Sequence, residues 1–284
     1  MKDEKKVNWE QDVKTFESYL EERENAEATI KKYLRDVGTF RNYLKGERKI
    51  EKSDVLEYKE WLIGHYSIRS VNSMLAALDQ FLIFLGAGQM RVKRIKVQEG
   101  SLQMRKQELG KAEFRRLVSV ARDNGQSQLA MLMETICATG IRVSELKFFN
   151  VNSIKTGIVE VRNKGKQRVV LLPEKLRKRL LLYTAKNKIR SGPVFCTRSG
   201  KTKDRSNIWK EMKKLAEKAG IDAGKVFPHN LRHLFARTFY RATKNLIHLS
   251  DILGHSSVEV TRIYAREGIW EWKRSLDRMD LLEE

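Results

Sequence analysis

A chain of 284 residues with 41% hydrophobic content is long enough for one large domain or two ordinary ones, and apolar enough to build cores. Its formal net charge of +21 favours an acidic partner, either nucleic acid or an anionic membrane surface. The longest apolar run, Phe81 to Ala87, has seven residues, far below the roughly 18 that mark a bilayer span, so a membrane anchor is not expected. Residues Met1 to Lys6 lack the apolar core of a signal peptide, and the expected location is the cytoplasm. The two cysteines, Cys137 and Cys196, have no paired ligand spacing and read as reduced core thiols.

The charge is unevenly placed. Residues 1–100 carry 19 Lys and Arg against 17 Asp and Glu, whereas residues 151–250 carry 25 against 6. That second stretch also holds strand-like segments and a His/Arg/Tyr cluster, so it reads as a folded site and not as a polybasic tail.

In chain order, apolar residues recur at helical spacing through Val13, Phe16, Tyr19 and Leu20, then through Ile30, Tyr33, Leu34, Val37, Phe40 and Leu44. A third helix is expected from about Ser53, read as its N-cap, to near Gly64, and a fourth after Ser67, stopping at Gly86. Four helices joined by short turns predict a bundle-like domain over residues 1–87. Residues 88–106 then read as a basic linker, carrying Arg91, Lys93, Arg94, Lys96, Arg105 and Lys106 with little helical period.

The helical pattern resumes from Leu109 through Val118, and again through Leu129, Leu132 and Ile136 to a turn at Ala138-Thr139-Gly140. A short helix carrying Arg142, Glu145 and Leu146 should follow. Ile158 to Val161 and Arg168 to Leu172, separated by Asn163-Lys164-Gly165-Lys166, predict a hairpin closed by Pro173. Helices are expected from about Glu174 to Lys186 and from about Arg205 to Ala219, each apolar on one side and strongly basic on the other, a surface suited to DNA. A helix beginning near Asn230 would place His229 and Arg232, three residues apart, on one face. Gly254 should break the next apolar segment just before His255, and Tyr264 ends the amphipathic run from Val258.

Cleaving a phosphodiester without metal requires cationic donors on the non-bridging oxygens, a nucleophile, and an acid for the leaving hydroxyl. Arg142 and Arg232 suit the first task, because a guanidinium stays charged and forks two hydrogen bonds onto a phosphate. Tyr264 suits the second, provided a base or cations assist a phenol whose pKa is ordinarily about 10; His229 and His255 are candidates for that help. Lys164, at a hairpin tip, reaches into a groove or donates a proton. His229 and His233 have the spacing of a zinc pair, but position 230 is Asn where a metalloprotease has Glu, and no third ligand is evident. His233 is read as making a structural hydrogen bond. Taken singly, each of these residues has an ordinary explanation, Tyr264 as a core residue and Arg142 as the ion-pair partner of Glu145.

Together, Ala138 to Leu146, the Lys164-Gly165 hairpin, His229-Asn230-Leu231-Arg232-His233, Leu253-Gly254-His255 and Tyr264 resemble, in order and approximate spacing, the signatures of the tyrosine recombinases, the phage-integrase and Xer-like family. The resemblance covers essentially the whole chain. It implies a predominantly α fold with a small antiparallel β-sheet: a helical N-terminal core-binding domain (1–87), a linker (88–106), and a mixed α+β catalytic domain of the DNA breaking-rejoining type (107–268). A tail helix (269–284) would dock on a neighbouring protomer, with Trp270 and Trp272 as anchors and packing on its own domain as the alternative.

By the same resemblance Tyr264 would attack the scissile phosphate, forming a 3′-phosphotyrosyl link. Arg142 and Arg232 would clamp the phosphate, Lys164 would be the general acid, His229 would assist as general base, and His255 would hydrogen-bond the phosphate. No cofactor and no catalytic metal are implied. The partner would be double-stranded DNA, with four protomers exchanging strands on two sites through a Holliday junction. The hairpin turn is one residue shorter than the common family form, so Lys166 is the alternative to Lys164, which is preferred. The chain carries no separate arm-binding domain such as larger phage integrases have, which favours a simple Xer-like or mobile-element enzyme. Two other readings are a type IB topoisomerase, which shares the chemistry, and a DNA-binding regulator without catalysis.

Overall fold

The computed structural model of the protein describes residues 4–47, 49–96, 108–163, 166–197, 200–255 and 257–264, with backbone only at 163 and 166. The chain divides into two compact units, Met1–Gly100 and Ser101–Glu284.

The first unit contains the four expected helices, α1 (Trp9–Glu22), α2 (Glu27–Tyr43), α3 (Lys52–His65) and α4 (Ile68–Phe84). Their apolar stripes meet in a core rich in aromatic rings. Phe16 meets Phe81 edge to face at 5.2 Å, and Trp9 stacks on Phe81 at 5.9 Å while its indole N–H donates to the Glu47 carbonyl at 2.7 Å. A buried indole is thereby both packed and satisfied. Ser67 caps α4 as expected, accepting from the Ser70 N–H.

Two details differ from the sequence reading. The N-cap of α3 is Glu51, not Ser53; the reason is that the Asp54 carboxylate accepts from the Glu51 N–H at 2.7 Å, fixing the start two residues earlier. A two-stranded antiparallel sheet also joins β1 (Glu4–Lys6) to β2 (Lys49–Glu51), pairing Lys5 with Ile50. Such short, charged strands carry no alternating apolar signal. After a 3-10 turn at Gly88–Met90, the basic stretch stays tied to this unit: Met90 and Val92 are buried, and the Asn72 amide makes two 2.8 Å bonds to the backbone of Ile95.

The second unit packs α5 (Lys111–Asp123), α6 (Ser127–Thr139), α7 (Val151–Thr156), α8 (Glu174–Lys186), α9 (Arg205–Lys218) and α10 (Pro228–Thr243) around one core, with α11 (Leu246–Leu253) on α10. The expected hairpin is present as β3 (Ile158–Asn163) and β4 (Lys166–Leu171), in a register that pairs Val161 with Arg168. Helix α7 was not expected. The segment carrying Arg142, Glu145 and Leu146 is a 3-10 helix, Val143–Phe148, and Tyr264 closes a second one, Val258–Tyr264.

The protein is thus predominantly helical, with small antiparallel sheets. Cys137 and Cys196 are free, and burial pushes the Cys137 thiol up to about 12. Among the described residues no helix is long and apolar enough to cross a membrane. The expected tail helix and the Lys164-Gly165 hairpin tip lie outside the described residues.

Candidate active site

Two of the second unit's helices that end on left-handed glycines turn those ends towards one guanidinium. Helix α6 stops at Gly140 (φ 67°) and α11 at Gly254 (φ 62°). Arg232, in the second turn of α10, is only 1% exposed. It donates Nη1 to the Gly140 carbonyl at 2.6 Å and Nη2 to the Leu253 carbonyl at 2.7 Å. Carbonyls at helix C-termini carry partial negative charge and lack intrahelical partners, so they hold a cation without neutralising it. Burial and the neighbouring Arg142 pull the Arg232 pKa down to about 10, and the side chain stays charged at neutral pH. Its Nε is buried without an acceptor.

Arg142 stands at the N-cap of the first 3-10 helix, where its N–H and its guanidinium both bond Glu145, at 2.7 and 3.1 Å. The expected Arg142–Glu145 pair therefore exists, but it does not remove Arg142 from the site. Arg142 remains about one-third exposed, while Glu145 is buried and shared: its carboxylate also accepts from Arg168 Nη2 at 2.6 Å. Arg168 Nη1 then donates to the Ile252 carbonyl at 2.9 Å. Glycine is needed at 254 for this packing as well as for its φ, because a Cβ there would stand 2.5 Å from Arg168 Cδ.

Arg168 was missed as a site residue. Its signal was present, since strand residues two apart share a face and Arg168 falls in line with the buried Val170 and Leu172.

The two arginines line one cavity of about 870 Å³. Ile141, Trp209, Phe227 and Pro228 give it apolar walls, while Arg142, Arg205, Lys210, His229 and Arg232 supply its charge, and no carboxylate is among its described lining residues. Such a space attracts an anion. His229 is placed there as expected. Desolvation, with Arg232, Arg142 and Arg205 nearby, lowers its pKa.

His255 meets Arg232 Nη2 through Nε2 at 3.0 Å and Thr261 Oγ1 through Nδ1 at 2.8 Å. A guanidinium only donates, so Nε2 accepts and Nδ1 carries the hydrogen that Thr261 receives. Burial and the surrounding cations push the His255 pKa down to about 4, consistent with this neutral form. Thr261, wholly buried, had no signal in the sequence beyond lying three residues before Tyr264.

Tyr264 does not line the cavity. It packs against Ala236, Leu249 and Leu253, and its hydroxyl meets Nδ1 of His233 at 2.6 Å. Burial raises the phenol's pKa against the lowering influence of Arg232 and Arg237. Among the described residues the phenol's hydrogen-bonding histidine is thus His233 and not His229. The two imidazoles, one turn apart on α10, meet edge to face at 4.3 Å. The structure brings Arg142, His229, Arg232, His255 and Tyr264 to one end of α10; Lys164 is outside the described residues, and nothing is described of the Lys166 side chain.

A guanidinium-lined cavity with a partly buried tyrosine near it, in a mostly helical protein, defines a class that the comparisons make specific. Residues 107–268 match the model of the phage integrase family, and residues 13–88 match the phage integrase N-terminal SAM-like domain. The chain belongs to the phage integrase family. It is an enzyme of the tyrosine-type site-specific recombinases.

Among its relatives, tyrosine recombinase XerA of Pyrococcus furiosus is 29% identical over 280 residues, covering 95% of this chain and 94% of the relative. Tyrosine recombinase XerD of Vibrio cholerae is 28% identical over 264 residues, covering 86% and 87%. The fold is shared with the Tn1549 transposon integrase solved in complex with transposon right-end DNA (TM-score 0.74, 15% identity, 95% and 99% of the two chains). It is shared too with a lambda integrase dimer bound to a COC′ core site (TM-score 0.73, 16% identity, 93% and 80%).

Two outcomes follow. Replacing Arg168 by Ala should lower the stability of the second unit by about 3 kcal/mol, because it leaves a buried carboxylate short of a partner. The Arg168→Ala/Glu145→Gln double variant should lose less than the sum of the two single changes in urea unfolding. The second outcome concerns pH. His233 and His255 are held neutral, with pKa values near 3 and 4 against an unfolded value of about 6.5. Below pH 6.5 the unfolded chain binds protons that the folded one refuses, so stability should fall as pH drops from about 6.5 to 4 and be insensitive to these groups above it. Urea midpoints at pH 7.5, 5.5 and 4.5 measure this; a His255→Asn variant should show a shallower decline.

Proposed function

We propose that the chain cleaves and rejoins DNA strands at specific sites through a covalent 3′-phosphotyrosyl intermediate, without metal or nucleotide cofactor. The observation that carries this reading is the cavity lined by Arg142, Arg205, Lys210, His229 and Arg232, with no carboxylate among its described lining residues, near a partly buried tyrosine. In it a scissile phosphate is clamped between Arg142 and Arg232, which neutralise the charge that develops on the non-bridging oxygens. The buried, unpartnered Nε of Arg232 and the partly exposed Arg142 leave donor capacity for that purpose. His255 supports Arg232 from behind; an anion in the cavity raises its proton affinity and converts Nε2 into a donor towards phosphate. Tyr264 is the nucleophile. Lys164, at the hairpin tip, protonates the leaving 5′-oxygen, with Lys166 as the alternative.

In this reading residues 1–87 form the core-binding domain, 88–106 a basic connection and 107–268 the catalytic domain, with double-stranded DNA as the partner. The basic faces of α8 and α9 run along the phosphates. Relatives of this fold solved with DNA, such as the XerH recombinase on a palindromic difH substrate, support the assignment of the partner. Four protomers on two sites, exchanging strands in pairs through a Holliday junction and docked through the tail at 269–284, complete the proposal.

Wild-type protein on cognate nicked DNA should give an adduct that survives SDS, and Tyr264→Phe should give none while binding DNA normally; an equal adduct from Tyr264→Phe contradicts the assignment. Affinity should fall steeply between about 50 and 200 mM salt as phosphate contacts release counterions. A flat salt response contradicts the phosphate clamp.

A further inference from the structure

Resting on Tyr264 as the nucleophile, we propose that His233, not His229, is the catalytic base that takes the phenolic proton as the tyrosine attacks. Three observations carry it. First, the Tyr264 hydroxyl lies 2.6 Å from His233 Nδ1, the short distance and direct contact that proton transfer requires. Second, the phenol is partly buried, packed against Ala236, Leu249 and Leu253, which limits the access of bulk water as an alternative acceptor. Third, His233 follows Arg232 directly on α10 and lies one turn from His229, which places the acceptor on the same helical turn as the phosphate clamp.

The step balances. Tyr264 Oη forms a bond to phosphorus while the bond from phosphorus to the leaving 5′-oxygen breaks. The phenolic proton passes to His233 Nδ1, which becomes an imidazolium, and the 5′-oxygen takes a proton from the acid on its own side. Rejoining runs each transfer backwards, so His233 returns the proton to Tyr264 as the 5′-hydroxyl attacks.

The groups facing His233 decide when it accepts. On α10 these are His229, Arg232 and Arg237; from the segment after α11 it is His255, and from the second 3-10 helix it is Tyr264 itself. Arg237 is paired with Glu108 at 3.5 Å and lies near Cys137. Without DNA, burial and these cations hold His233 at a pKa near 3, a weak base beside a neutral phenol. A phosphate between the arginines adds negative charge next to the imidazole and raises its proton affinity. The base is thereby engaged only when substrate is bound, which keeps the tyrosine unreactive in the free protein.

Asparagine separates a base from a mere holder, because its Oδ1 occupies nearly the place of Nδ1 and accepts the phenol's hydrogen bond but cannot take the proton. The test measures single-turnover cleavage of nicked DNA carrying a 5′-bridging phosphorothiolate, which leaves without an acid, for wild type, His233→Asn and His229→Asn between pH 6 and 9.5. The linked peptide is sequenced in each case.

His233→Asn should bind DNA like wild type, cleave about 100-fold more slowly at pH 7, and gain about tenfold per pH unit as hydroxide replaces the lost base. His229→Asn should keep the wild-type pH profile. A His233→Asn rate equal to wild type, or a slow rate with an unchanged pH profile, overturns the proposal. An adduct on a residue other than Tyr264 overturns the function reading instead, whatever His233 does.

Discussion

The buried charge of Arg232 is the constraint on which the rest of this site depends. A guanidinium out of water costs several kcal/mol unless its donors are met, and a carboxylate partner would cancel the charge that a phosphate needs. The chain meets the Nη donors with the carbonyl ends of two helices. Gly140 and Gly254, both left-handed, turn those ends towards α10. The conflict between burying a cation and keeping it available is thus resolved by partial charges, with Glu145 held one layer away, where it serves Arg142 and Arg168.

The same arrangement ties distant segments together. Arg168 brings the hairpin onto the end of α11 through the Ile252 carbonyl; Arg232 brings α6 and α11 onto α10; His255 joins Arg232 to the 3-10 helix that ends at Tyr264. Local changes at Glu145, Gly254 or Thr261 therefore reach the clamp without touching a substrate. The histidines fit this picture as groups held among arginines: His255 accepts from Arg232 and donates to Thr261, and His233 meets the Tyr264 hydroxyl.

Much of this was legible in the sequence, for physical reasons. Helical periodicity placed α1 to α6, α8 and α9 because each buries one apolar stripe, and Arg142, His229, Arg232, His255 and Tyr264 were named from chemistry and spacing. What was not legible is long-range or locally weak. The charged strands β1 and β2 have no periodic signal, and α7 is only six residues long. The cap of α3 turned on a single carboxylate, Asp54. Arg168 was not named as a site residue because its partners, Glu145 and Ile252, are 23 and 84 positions away. His233 could be read only as a hydrogen-bonding residue, since the identity of its partner, 31 residues on, is a property of the folded chain.

The claim at the centre of this account is that helix carbonyls hold Arg232 charged, and that Arg232 with Arg142 makes an anion site. Anomalous diffraction from a crystal soaked in tungstate, a tetrahedral analogue of phosphate, tests it most directly. The account predicts one strong peak in the cavity within hydrogen-bond distance of both guanidinium groups, lost in Arg232→Ala. An empty cavity, with tungstate bound only elsewhere on the basic surface, would contradict it.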